Sequence, residues 1–154
     1  MAKKGFFLLP KRHFLVMFQI NSFNKPYMED AKIIGKAGED RAAIYLEAHG
    51  YRIRERNYAN TKGLRLGEID IVAEKKGEIV FVEVKAAFIA VGKEDRLPEW
   101  QVNRSKLRKM EKAAGIYLRE KRLEDRDYSF DVVAVTFFSI GEPEIRHLDH
   151  VFLS

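Results

Sequence analysis

Two short stretches rich in β-branched and aromatic residues meet at Lys76-Gly77. Residues 66–74 (LGEIDIVAE) and 78–85 (EIVFVEVK) each read as a strand. Glycine at the second position of a two-residue turn predicts a tight hairpin between them. Upstream, residues 29–49 carry apolar residues at helical spacing. Ile34, Ala37, Ile44, Tyr45 and Ala48 share one face, and Gly50 follows as a stop. Residues 51–57 (YRIRERN) read as a strand, followed by the polar loop ANTKG. Pro98 precedes a second helix over 99–121, with Leu107, Met110, Ala114 and Tyr117 as its apolar stripe. Strands over 129–138 and 144–153 follow, split by Gly141 and Pro143. The order helix, three strands, helix, two strands predicts an α/β fold with a mixed β-sheet flanked by helices.

The same pattern brings acids and a base together. Strand side chains alternate faces, so Phe81, Glu83 and Lys85 share one side of their strand and Val82 and Val84 the other. With Lys76 and Gly77 as the turn, Lys75 lies opposite Glu78, and the register continues to set Asp70 opposite Glu83. Residues directly opposite point to the same face, about 5 Å apart. A shift of one residue would send Asp70 to the other face. Two neighbouring carboxylates repel unless a positive charge lies between them. Mg²⁺ or Mn²⁺ suits that place, because Mg²⁺ takes oxygen ligands and is content with one or two carboxylates. Lys85 is placed to ready a water for attack on a phosphodiester, and the Val84 carbonyl is a further candidate ligand. Glu39 heads a helical stripe with Ala42, Ala43 and Leu46, so it flanks an apolar face and could hold a water at the site. Glu68, just after Gly67, reads as structural.

Composition narrows the function. The 154 residues are one domain's worth. The chain has no cysteine, which excludes disulfides, thiolate metal sites and a cysteine nucleophile, and suits the cytoplasm. The formal charge of +5 favours an acidic partner such as nucleic acid. No apolar run reaches the roughly 18 residues of a membrane span. Residues 1–28 are set apart. Up to Lys25-Pro26 they hold Lys3, Lys4, Lys11, Arg12 and Lys25 and no acid. They resemble the charged start of a signal peptide, but Lys11, Arg12 and His13 split the apolar part and no small-residue cleavage site follows. They are read as a basic, apolar arm before a domain over 29–154. The second helix offers Arg104, Lys106 and Lys109 as a nucleic-acid face. Trp100 is read as packing. His147 and His150 lack further zinc ligands nearby, and no phosphate-cradling glycine loop or nucleophilic serine motif is found.

Glu39, Asp70 and Glu83-Val84-Lys85 resemble the D…(D/E)xK nuclease signature shared by type II restriction enzymes and archaeal Holliday junction resolvases. More closely, the chain is similar to the YraN family of predicted endonucleases. The matching stretches are 35–57 (GKAGEDRAAIYLEAHGYRIRERN), 67–74 (GEIDIVAE), 79–85 (IVFVEVK), Lys106 with the following KAAGIYL, and 130–135 (FDVVAV). The resemblance implies a restriction-endonuclease-like core, Asp70 and Glu83 as metal ligands, Lys85 as the catalytic lysine and Glu39 as the helix acid. It also implies a homodimer, by analogy with relatives that cut both strands of a junction. Two features depart from the family pattern. Ala87 stands where a basic residue is usual, and the stretch FIAVGKEDRLPEW is long and lacks the usual Phe-Gly.

The resulting expectation is a divalent-metal-dependent endonuclease acting on DNA, including branched or structured DNA. The alternatives are a nucleic-acid-binding protein that keeps the fold but cuts weakly or not at all, and an interaction protein working through its N-terminal arm.

Overall fold

Asp30 opens the first helix: its Oδ1 accepts the Lys32 backbone N–H at 2.8 Å, which satisfies one of the donors a helix start leaves free. In the computed structural model, which describes residues 30–59, 68–90 and 104–151, helix α1 covers Ala31–Ala48. It is followed by β1 (Arg52–Ala59), β2 (Glu68–Lys75), β3 (Glu78–Ile89), helix α2 (Arg104–Lys121), β4 (Tyr128–Phe138) and β5 (Glu144–Leu148). The N-terminal arm, Trp100 and the side chain of Arg104 lie outside the described residues.

The strands form one sheet in the order β1-β2-β3-β4-β5. All neighbours are antiparallel except β3 and β4, which run parallel, with α2 in the crossover between them. The sheet is mixed and flanked by two helices, as the element order predicts. Lys75 pairs with Glu78 and Ile71 with Val82, which is the register set by a two-residue turn at Lys76-Gly77. Both turn residues have positive φ, 50° and 93°, the backbone that favours glycine at the second position.

Successive residues of β3 feed two different cores. Val80 and Val82 pack with Ala42, Ala43 and Leu46 of α1, and with Ile71, Ala73, Val133 and Val135. Ile79 and Phe81 pack with Met110, Ala114 and Tyr117 of α2, and with Ile69 and Val72. The helices therefore cover opposite faces of the sheet. The face of α1 that is pressed inward is led by Gly38, Ala42, Ala43 and Leu46. Of the face expected from periodicity, Ile34, Ala37 and Tyr45 flank this core, whereas Ala48 is exposed. Gly38 explains the choice: a Cβ there would overlap the Cβ of Ala86, so only a glycine lets α1 sit this close to β3.

Two further differences from the sequence reading have local causes. β3 runs to Ile89, beyond the expected end at residue 85, because parallel pairing with β4 continues to Ile89–Phe138. The last strand ends at Leu148 instead of reaching residue 153. Asp131 captures the His150 backbone N–H at 3.0 Å, and His150 has a φ of 50°, which takes the chain off the ladder.

Far from the start of β2, the hairpin tip is clamped. Glu74 accepts from Arg52, from Arg54 at 2.5 Å and from Arg126 at 2.9 Å. Arg126, in the α2–β4 connection, also donates to the Gly77 carbonyl from Nε at 2.9 Å and Nη2 at 2.7 Å. Nearby, Lys121 at the end of α2 pairs with Glu55 at 2.9 Å.

Candidate active site

Pairing of β2 with β3 ends at Ile71–Val82, and Asp70 and Glu83 are the next residues on the two strands, close enough for the Glu83 charge to act on Asp70. Asp70 Oδ2 accepts the Val84 backbone N–H at 2.7 Å, so the aspartate closes the ladder where main-chain pairing of β2 and β3 stops. Glu83 is two residues past Phe81, on the α2 side, and is only 4% exposed. Its Oε1 receives Lys85 Nζ at 2.8 Å and also Lys106 Nζ, which reaches down from the first turn of α2. Its Oε2 is buried and has no hydrogen-bond partner among the described residues.

Crowding two acids in a half-buried place has the expected electrostatic effect. Burial, and then the charge of Glu83, push the Asp70 pKa up to about 6, against the opposing pull of the Val84 N–H and the Lys106 charge. Burial pulls the Lys106 pKa down, but the hydrogen bond and charge of Glu83 outweigh it and the net shift is upward.

Glu39 lies at one remove. It sits on α1, its Oε2 accepts from Asn57 Nδ2 at 2.8 Å, and it is 3.8 Å from Arg56. With Glu68, Lys32, Lys36, Asp40 and Arg56 it lines an open cleft of about 630 Å³. Its charge reaches Asp70 only as the weakest of the upward influences. The structure thus gathers Asp70, Glu83, Lys85 and Lys106 into one cluster and leaves Glu39 in the adjoining cleft. Lys109 is exposed on α2.

The donors at Asp70 and Glu83 fit a hard divalent cation. Among the described residues no three His, Asp or Glu side chains form a metal cage. Two carboxylates, one carrying a buried oxygen without a partner, match the habit of Mg²⁺, which completes its shell with water.

The link from Lys106 to Glu83 is not legible in sequence, where the family resemblance marks Lys106 and the basic helix makes it a phosphate contact, with nothing to tie it to Glu83. Also missed is a second polar cluster, on the α1 side. Asp131, 1% exposed, contacts His147 Nε2 at 2.8 Å, takes the Tyr51 hydroxyl at 3.5 Å on the same oxygen, and holds the His150 N–H. Tyr45 and Tyr51 both pack against the His147 ring. Burial and the charge of Asp131 push the Tyr51 pKa up to about 12.

Residues 38–135 match the family described as "Uncharacterised protein family UPF0102", which is the YraN family. A UPF0102 protein of Geobacter sulfurreducens is 42% identical over 122 residues, covering 79% of this chain and 89% of the relative. One of Persephonella marina is 40% identical over 121 residues, covering 78% and 93%. One of Syntrophus aciditrophicus is 45% identical over 104 residues, covering 66% and 75%.

Proposed function

The chain belongs to the uncharacterised protein family UPF0102, and from that premise we propose that it is a divalent-metal-dependent endonuclease that hydrolyses phosphodiester bonds in DNA, branched or structured DNA included. The observation that carries the proposal is Asp70 held on the Val84 N–H next to Glu83 and Lys85, with Glu83 Oε2 buried and without a partner among the described residues.

Asp70, Glu83 and the Val84 carbonyl would hold Mg²⁺ or Mn²⁺. A bound dication supplies positive charge to a phosphate under in-line attack and lowers the pKa of water. The chain's own groups do the positioning. The Val84 N–H fixes the aspartate at 2.7 Å, and burial holds the glutamate in one place. Lys85 Nζ, 2.8 Å from Glu83 Oε1, stands where its ammonium can donate to the attacking water and orient it, and the water's proton passes to solvent. The water oxygen forms the new bond to phosphorus, and the bond from phosphorus to the leaving sugar oxygen breaks. Glu39, in the adjoining cleft, anchors a water, and Lys109, exposed on α2, meets a phosphate. A homodimer supplies the second site that cutting both strands requires. No helix among the described residues is long and apolar enough to cross a membrane. The proposed DNA substrate would put its work in the cytoplasm, which a chain without cysteine suits.

The test is a cleavage screen with Mn²⁺ over single-stranded, duplex, flapped and four-way DNA, with Asp70→Ala as the control. Cutting by wild type that Asp70→Ala lacks supports the proposal, and equal cutting by both removes it. Ala87, where a cation is usual, favours one other reading, a DNA-binding protein that no longer cuts. Tight binding that weakens steeply with salt, with no metal-dependent product on any substrate, selects that reading.

A further inference from the structure

The two oxygens of Glu83 have unlike surroundings. Oε1 is met by two ammonium groups, from Lys85 and Lys106, while Oε2 is buried with none. One ammonium balances one carboxylate, so for Glu83 alone the second is surplus. For the cluster it is not, because Asp70 brings a second negative charge. Two carboxylates and two ammonium groups sum to zero, and a divalent cation carries the same two positive charges at one point.

Resting on the nuclease reading, we infer that Lys106 is a resident counter-cation that competes with the divalent metal: it holds Glu83 while the metal is absent and releases it when the metal binds. The two lysines are not equivalent in this. Lys85 lies two residues from Glu83 on the same strand face, so the pleat keeps it there whatever α2 does. Both side chains are part-exposed, 42% for Lys85 and 47% for Lys106, so either ammonium can reach water; the difference is that Lys106 comes from a separate element and can leave Glu83 altogether. A dication arriving beside an intact Glu83–Lys106 pair would meet repulsion from a unit charge a few ångströms away. Release relieves that repulsion and leaves a mobile cation at the edge of the site. A DNA phosphate can then take the place of the carboxylate as its partner, which couples metal loading to substrate binding.

The test is Mn²⁺ binding, measured by calorimetry on the full chain after removal of metal with a chelator. Wild type is compared with Lys106→Met, Lys106→Arg, Glu83→Gln and the Glu83→Gln/Lys106→Met pair, each first checked for folding by thermal melting. Lys106→Met is expected to bind Mn²⁺ at least about tenfold more tightly than wild type. Lys106→Arg, which keeps the charge, should stay near wild type, and in the Glu83→Gln background Lys106→Met should gain nothing. Equal or weaker Mn²⁺ binding by Lys106→Met overturns the inference and leaves the nuclease reading standing. No binding by wild type and Lys106→Met alike overturns both.

Discussion

Glu83 and Asp131 lie on neighbouring inner strands, at positions one residue apart in the parallel register, with Glu83 on the α2 side of the sheet and Asp131 on the α1 side. Both are almost fully buried. Asp131 uses each oxygen: one takes the His150 N–H, the other meets His147 and Tyr51. Glu83 has one oxygen crowded by two lysines and one left bare. Burying an acid is costly unless it is paired and hydrogen-bonded. Asp131 meets that condition within the chain, so it fastens β4, β5 and the entry to β1 together. Glu83 meets it by half, and the unmet half is what a ligand can use. Two acids alike in burial are thus told apart by how completely their oxygens are satisfied.

The largest expected effect separates the two by activity. Asp70→Ala should abolish Mn²⁺-dependent cleavage, by about a thousandfold or more, because a bound dication contributes several kcal/mol to such reactions. Asp131→Asn should leave the rate per folded molecule close to wild type. Gel assays of product against folded fraction give both numbers.

Stability should show the reverse order. Asp131→Ala strands a buried His147 and the Tyr51 hydroxyl, and breaking a buried pair costs roughly 3–5 kcal/mol. Glu83→Gln removes a poorly satisfied charge, and its half-exposed lysines can turn to water, so a change within about 1 kcal/mol is expected. Urea unfolding without metal measures both, and similar losses for the two variants would erase the distinction.

Acidity sharpens the comparison further. The Asp70 pKa is raised from 3.8 to about 6, so the native chain binds more protons than the unfolded chain between those values. The stability this contributes is fully present below about pH 4 and is lost as pH rises through about 6, a change of roughly 2–3 kcal/mol. Asp70→Asn should flatten that slope in metal-free protein. Mn²⁺ uptake by wild type should rise over the same window, since the ligand must be ionised.

The smallest effect concerns the contact beneath α1. Gly38→Ala should cost about 1–2 kcal/mol, since overpacking against Ala86 outweighs the better helix propensity of alanine. The double change Gly38→Ala/Ala86→Gly should recover part of it in thermal melts.

Sequence reading reached what neighbouring residues decide. The hairpin and its register from Lys75–Glu78 to Ile71–Val82 follow from Lys76-Gly77 and strand alternation, which leaves Asp70 and Glu83 as the next residues on the two strands. The family resemblance extended that to the fold. What stayed hidden depends on partners far along the chain. Tyr51 and Asp131 are 80 residues apart, and Lys106 is 23 from Glu83. No periodicity couples such positions; only the docking of α2 and the order of the strands does. Helical spacing likewise allowed either of two faces of α1, and close approach at Gly38 decided between them.

The arginine clamp on Glu74 and Gly77 bears on how α2 can move. It fastens the connection after the helix to the hairpin tip, and Lys121 ties the last turn to β1. Lys106 is 15 residues, about 22 Å, from Lys121. The helix is therefore a lever with its fulcrum at the clamp: a tilt of about 3° there would carry the far end roughly 1 Å, enough to lengthen a hydrogen bond beyond its range.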